Sequence, residues 1–103
     1  MYHDRQGNPI SLFHWAALME TPGYQHVAED YVGFDRISTV WLGINHNFIG
    51  EGPPIIFETM IFWFEPPEDD AYMEDMWRYP TEAAALAGHD QAVAYVRSLC
   101  HKW

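Results

Sequence analysis

Cysteine and positive charge are both scarce in this chain, and each scarcity removes a class of function. One cysteine, Cys100, among 103 residues leaves no intramolecular disulfide and no CxxC metal knuckle, a usage that fits a reducing compartment. The 5 cations, Arg5, Arg36, Arg78, Arg97 and Lys102, stand against 15 carboxylates, for a net charge of -10. That balance repels phosphate backbones, so no direct contact with nucleic acid is expected. No apolar run reaches the roughly 18 residues of a membrane span before Gly, Pro or a charge interrupts it. The opening MYHDRQGNP has no basic region followed by an apolar one. The expectation is a cytoplasmic protein, a single domain over residues 1–103, with no membrane contact.

Catalytic signatures are missing as well. Neither HExxH nor HxH occurs, and His46, Glu58 and His89 have no recognised ligand spacing, so no metal is expected. No serine lies in a glycine-flanked elbow, and Cys100 falls at the C-terminal end of a helix, where a thiolate is not favoured. The turn Gly50-Glu51-Gly52-Pro53-Pro54 lacks the lysine of a phosphate cradle. No cofactor and no catalytic residue are assigned.

What the chain does have is apolar side chains. They make up 49% of it, and 17% of the residues are aromatic, a composition that folds. Ser11 stands at an N-cap ahead of Leu12, Trp15, Ala16 and Met19, which predicts a first helix over Leu12 to Met19, closed by Thr21-Pro22-Gly23. Strands follow over Tyr24 to Val32 and Arg36 to Ile44, with Gly33-Phe34-Asp35 as a tight connection. A loop over Asn45 to Pro54 leads to a strand from Ile55 to Phe64, and a weaker strand surrounds Met76 to Tyr79. Thr81 caps a last helix whose stripe is Leu86, His89, Val93, Val96 and Cys100, with Gly88 marking a kink or a division into two. The predicted fold class is α+β: an antiparallel meander of about four strands, with the N-terminal and C-terminal helices on one face.

Alternation along Ile55 to Phe64 puts Phe57, Thr59, Ile61 and Trp63 on one side and Glu58, Met60, Phe62 and Phe64 on the other. Two helices cover one face only. The other calls for a loop folded back, a second copy in a homodimer, or a bound partner, with Trp41, Trp63 and Phe57 the large side chains available. Glu58 inside that strand has to be paired, protonated or bound, with Arg36, Arg78 or a histidine as candidates. It reads either as a structural ion pair or as an anchor or general base beside His46, which sits at a strand exit. The candidate binding set is Trp41, Asn45, His46, Asn47, Phe48, Glu58 and Arg78. The acidic run containing Glu68, Asp69 and Asp70 reads as a solvated hairpin tip or as a docking surface for a basic partner.

Four blocks carry a resemblance: Asp4 to Ser11 (DRQGNPIS), Ser38 to Phe48 (STVWLGINHNF), Pro53 to Phe62 (PPIIFETMIF) and Arg78 to His89 (RYPTEAAALAGH). On them the chain resembles a family of small uncharacterised proteins of actinobacteriophages and actinobacteria. The stretch from Trp63 to Met76 is longer and more acidic than the linker that family leads one to expect. The resemblance implies a bacterial host cell as the setting and assigns no activity. The expected function is that of a phage accessory protein that binds a host protein or a small signalling ligand and so modulates host defence or metabolism. The alternative is a small enzyme using His46 and Glu58.

Overall fold

The computed structural model describes residues 1–47, 52–64 and 76–100. The first segment is a small hairpin, β1 (Tyr2–His3) against β2 (Pro9–Ile10), which the turn residues between them concealed as mere loop. Asp4 organises its turn: the Oδ1 atom accepts from the backbone N–H groups of Gln6 and Asn8 at 3.0 and 2.8 Å. Helix α1 (Leu12–Glu20) starts where expected, with the Ser11 hydroxyl accepting from the His14 N–H, and stops at Thr21.

The main sheet is the predicted meander. Its strands β3 (His26–Val32), β4 (Asp35–Trp41), β5 (Phe57–Phe62) and β6 (Met76–Tyr79) lie side by side in chain order, all antiparallel. Gly33 takes φ +61 at the first position of the two-residue turn joining β3 to β4, a conformation that suits glycine and matches the strand twist. A bulge between His26 and Ala28 shifts the register of β3.

Helix α2 (Glu82–Cys100) crosses one face of this sheet and packs on all four strands. Thr81 caps it, accepting the Ala84 N–H at 3.1 Å. The helix runs unbroken through Gly88, so no division occurs there. Its buried stripe is Ala85, His89, Ala92, Val93 and Val96, while Leu86 is 43% exposed. Small residues on that stripe bring the helix close to the strands.

Two apolar clusters form beneath the helices. One joins Ile37 and Ile61 to Ala92, Val93 and Val96, with Trp63, Trp77 and Tyr95 around it. The other surrounds Trp41, Ile56, Phe57 and Ala85 and takes in Trp15, Leu18 and Met19 of α1, so both helices cover the same face. Complete burial of Trp41 and Phe57 contributes on the order of 2–3 kcal/mol each. These two are therefore core residues and not the cover of an open face, and Trp63 packs edge-on against Tyr95 on the core side. Ile56 is buried with its neighbour Phe57 because the regular pleat begins only at Phe57.

Candidate functional site: the open face of the sheet

The second face of the sheet is the candidate site, and strand register alone composes it. Pairing aligns Tyr31, Arg36 and Phe62 in one row across β3, β4 and β5. The next row on that face is Glu29, Ser38, Met60 and Met76, and the third is His26, Val40, Glu58 and Arg78. Between these rows lies a trough of about 320 Å³, lined by Gln25, His26, Arg36, Ser38, Val40, Glu58, Met60 and Phe62. Neither helix covers it.

Charge on this face is balanced by pairing. Arg36 donates to Glu29 at 2.7 Å, and its guanidinium lies 4.4 Å from the centre of the Phe62 ring. Glu58, only 12% exposed, has Arg78 Nε 3.5 Å from its Oε1 atom. Two cations and two carboxylates thus cancel here, and the charge of -10 belongs to the rest of the chain. Aromatic rings extend the face at the row of Arg36: Phe62, Tyr31, Phe34 and Phe64 are 44%, 64%, 69% and 67% exposed, and the last two touch at 5.1 Å between ring centres. Phe64 is held by its N–H donating to the buried Asp35 carboxylate at 2.9 Å.

The sequence-predicted residues divide between this face, the core and a loop. Glu58 and Arg78 share the face and pair with each other, as the structural reading of Glu58 required. Trp41 lies in the core, its indole N–H donating to the His3 carbonyl at 3.0 Å. Asn45, His46 and Asn47 shape the loop after β4: Asn45 Oδ1 accepts from the N–H groups of Asn47 and Ile55, and the His46 N–H donates to the Ile55 carbonyl at 2.8 Å. The histidine that lines the trough with Glu58 is His26, and His46 is not among the lining residues. Phe48, Glu68, Asp69 and Asp70 lie outside the described residues. Sequence reasoning missed Tyr31 and Ser38 and named Arg36 only as a partner for Glu58, whereas it pairs with Glu29, although the alternation of β4 sets Arg36, Ser38 and Val40 on one side.

Beneath α2 a second polar arrangement crosses the sheet. The His89 ring is 2% exposed, with Nε2 at 2.7 Å from Asp30 Oδ2 and Nδ1 at 2.7 Å from the Thr39 hydroxyl. Thr39 in turn lies 2.5 Å from the Thr59 hydroxyl. Burial raises the Tyr79 phenol above its ordinary pKa, with the Thr59 hydroxyl acting in the opposite sense. At the start of α2, Arg5 grips Glu82 with two bonds of 2.8 Å, which hold the carboxyl below its ordinary pKa and raise the guanidinium. Among the described residues no group of three or more His, Cys, Asp or Glu could hold a metal ion, and no helix is long and apolar enough to cross a membrane.

Compared with known proteins, the chain matches no family model, no curated protein and no solved structure. What the site does is read from its geometry.

Proposed function

We propose that the chain is a binding protein with no catalysis of its own, and that the open sheet face is where it receives another protein. The observation that carries this reading is the pairing of Arg36 with Glu29 and of Arg78 with Glu58 on a face whose described residues also expose Tyr31, Phe62, Phe34 and Phe64. Exposed aromatic rings beside arginine are the composition of interface hot spots, and internally paired charges lower the cost of desolvating such a surface. A molecule at -10 repels acidic neighbours over most of its exterior, so the neutral face is where a non-basic protein surface can approach. In the setting implied by the resemblance, the chain is a phage accessory protein acting in the bacterial cytoplasm, and the protein received is a host factor whose defence or metabolic role it alters.

Capture from an actinobacterial host expressing the tagged chain tests this, run beside Phe62→Ala and Arg36→Glu variants. The same host protein should be recovered with the wild type and lost with both variants. Equal recovery with all three would move the interface away from this face.

A further inference from the structure

The trough on the open face is short of hydrogen-bond donors, and that shortage identifies what it takes. Glu58 Oε1 is closed off from water and accepts no hydrogen bond: Arg78 Nε forms an ion pair with it at 3.5 Å, while the same guanidinium donates to the Met76 sulfur at 3.9 Å. Arg36, the other cation of the face, is held by Glu29 and lies over Phe62. The Gln25 amide donates to the Met19 carbonyl at 2.8 Å, which fixes its Nε2 and leaves its Oε1 without a donor among the described residues. The Ser38 hydroxyl has no partner among them either. Three acceptors that nothing fills thus border one cavity.

Unfilled acceptors call for a group with several donors and no acceptor, and a primary ammonium has three donors. An alkyl stem suits the remaining walls, because Val40 and Met60 are apolar and Val40 lies directly across from Glu58. Ser38 is the diagonal neighbour of Glu58 across β4 and β5, about 7–8 Å away, so one ammonium between them reaches both side chains. A guanidinium fits less well. Its fork is matched by two carboxylate oxygens, and with Oε1 sealed only Oε2 can accept from the trough.

We propose that the trough receives a lysine side chain of the partner protein, its stem over Met60 and Val40 and its ammonium bonded to Glu58, Ser38 and Gln25. The inference rests on the reading of this face as the docking surface, and it names the residue that the partner must bring there. Charge favours it on two scales. The net charge of -10 draws a cation toward the molecule, and at the trough Glu58 is the carboxylate whose ion pair leaves it without a hydrogen bond. A single lysine on an otherwise uncharged surface therefore meets both the balanced charges of the face and the carboxylate they leave unsatisfied.

Nuclear magnetic resonance on the intact chain, with labelled methionine methyls, tests the site without the host protein. Lysine blocked at both ends, as N-acetyl-lysine methylamide, should shift the Met60 methyl saturably in the millimolar range. Blocked norleucine, which keeps the stem and lacks the ammonium, should leave it unmoved, as should tetramethylammonium, a cation with no N–H. Blocked arginine should bind about tenfold more weakly or worse. Glu58→Gln should abolish the response to blocked lysine, and Ser38→Ala should weaken it severalfold. No shift with blocked lysine, or an equal one with tetramethylammonium, overturns the lysine site, and these wild-type readings decide it even where a variant does not fold. A missing lysine response beside a host protein captured by the wild type and lost with Phe62→Ala overturns the lysine alone and keeps the docking face. A lysine response beside equal capture by the wild type and Phe62→Ala overturns the partner as its source and assigns the trough to a free alkylamine.

Discussion

The Tyr79 ring occupies the space that a side chain at position 88 would need: a Cβ built on Gly88 of α2 overlaps the phenol of β6. A glycine inside a 19-residue helix is thereby explained by packing, since it lets the Tyr79 ring lie directly against the helix.

Gly88→Ala should therefore destabilise the protein, against the usual trend. In an open helix the change gains about 1 kcal/mol, whereas forcing a methyl into a filled site costs roughly 1–3 kcal/mol. The net expectation is a loss on the order of 1 kcal/mol, read as a Tm lower by roughly 4–8 °C. A Tm that rises would mean that Tyr79 does not sit against Gly88.

The Tyr79 phenol shapes the alkaline limb of stability. Its folded pKa is raised, chiefly by burial, so its contribution is complete below the ordinary phenol pKa and is lost as pH rises through the folded value. Tyr79→Phe should flatten that limb in urea titrations at increasing pH. An unchanged alkaline limb in the variant would exclude Tyr79 as its source.

Arg5 and Glu82 govern the opposite end of the pH scale. The folded pKa of Glu82 is depressed, chiefly by its bond to Arg5, so its contribution is present above the ordinary carboxylate pKa and disappears as pH falls through the folded value. Both side chains are partly exposed, at 21% and 35%, and solvent screening limits the pair to about 1 kcal/mol. Glu82→Gln should lower stability by about that much at neutral pH and by nothing at acid pH where the wild-type carboxyl is protonated. Denaturant titrations at the two pH values check it.

Much of the fold was legible because its signals are local. Ser11 and Thr81 cap their helices by contacts three residues away, and the β-branched and aromatic run of β4 identifies itself. Single-strand alternation likewise placed Glu58, Met60 and Phe62 on one side. The site was less legible because its rows depend on which residue of β4 lies opposite which of β5, and that pairing joins segments about 20 residues apart. Nothing near Trp41 in the chain announces that α1 and α2 both close over it. His89 stands on the apolar stripe of the last helix, but its hydrogen-bond partners are side chains 50 and 59 positions away, beyond any local pattern.

Self-association through the open face competes with the host protein for the same surface, and it can be measured without knowing any host factor. Two copies meeting through neutral faces avoid the repulsion that their net charge imposes elsewhere. Light scattering over a dilution series should give twice the chain mass at tens of micromolar, and Arg36→Glu should return the monomer, since it leaves two unpaired carboxylates on the face. A monomer at every concentration would leave the face to another protein.

Glu58 tests whether the face is built for docking or merely for its own stability. The residue is mostly buried, but Arg78 stands 3.5 Å away, is 37% exposed and sits on an edge strand, so the pair contributes only about 0–1 kcal/mol to folding. Removing the Glu58 charge alone leaves the Arg78 guanidinium near water, which tolerates it. Glu58→Gln should therefore keep the Tm within a few degrees, and a double-mutant cycle with Arg78→Gln should return a coupling of about 1 kcal/mol or less. In the bound state the same pair is shielded from water, where losing one member costs roughly 2–5 kcal/mol, so Glu58→Gln should weaken self-association or host capture by tenfold or more. A variant that unfolds would make Glu58 structural. A variant that folds and binds as the wild type does would place the interface on the aromatic end of the face, around Phe34 and Phe64.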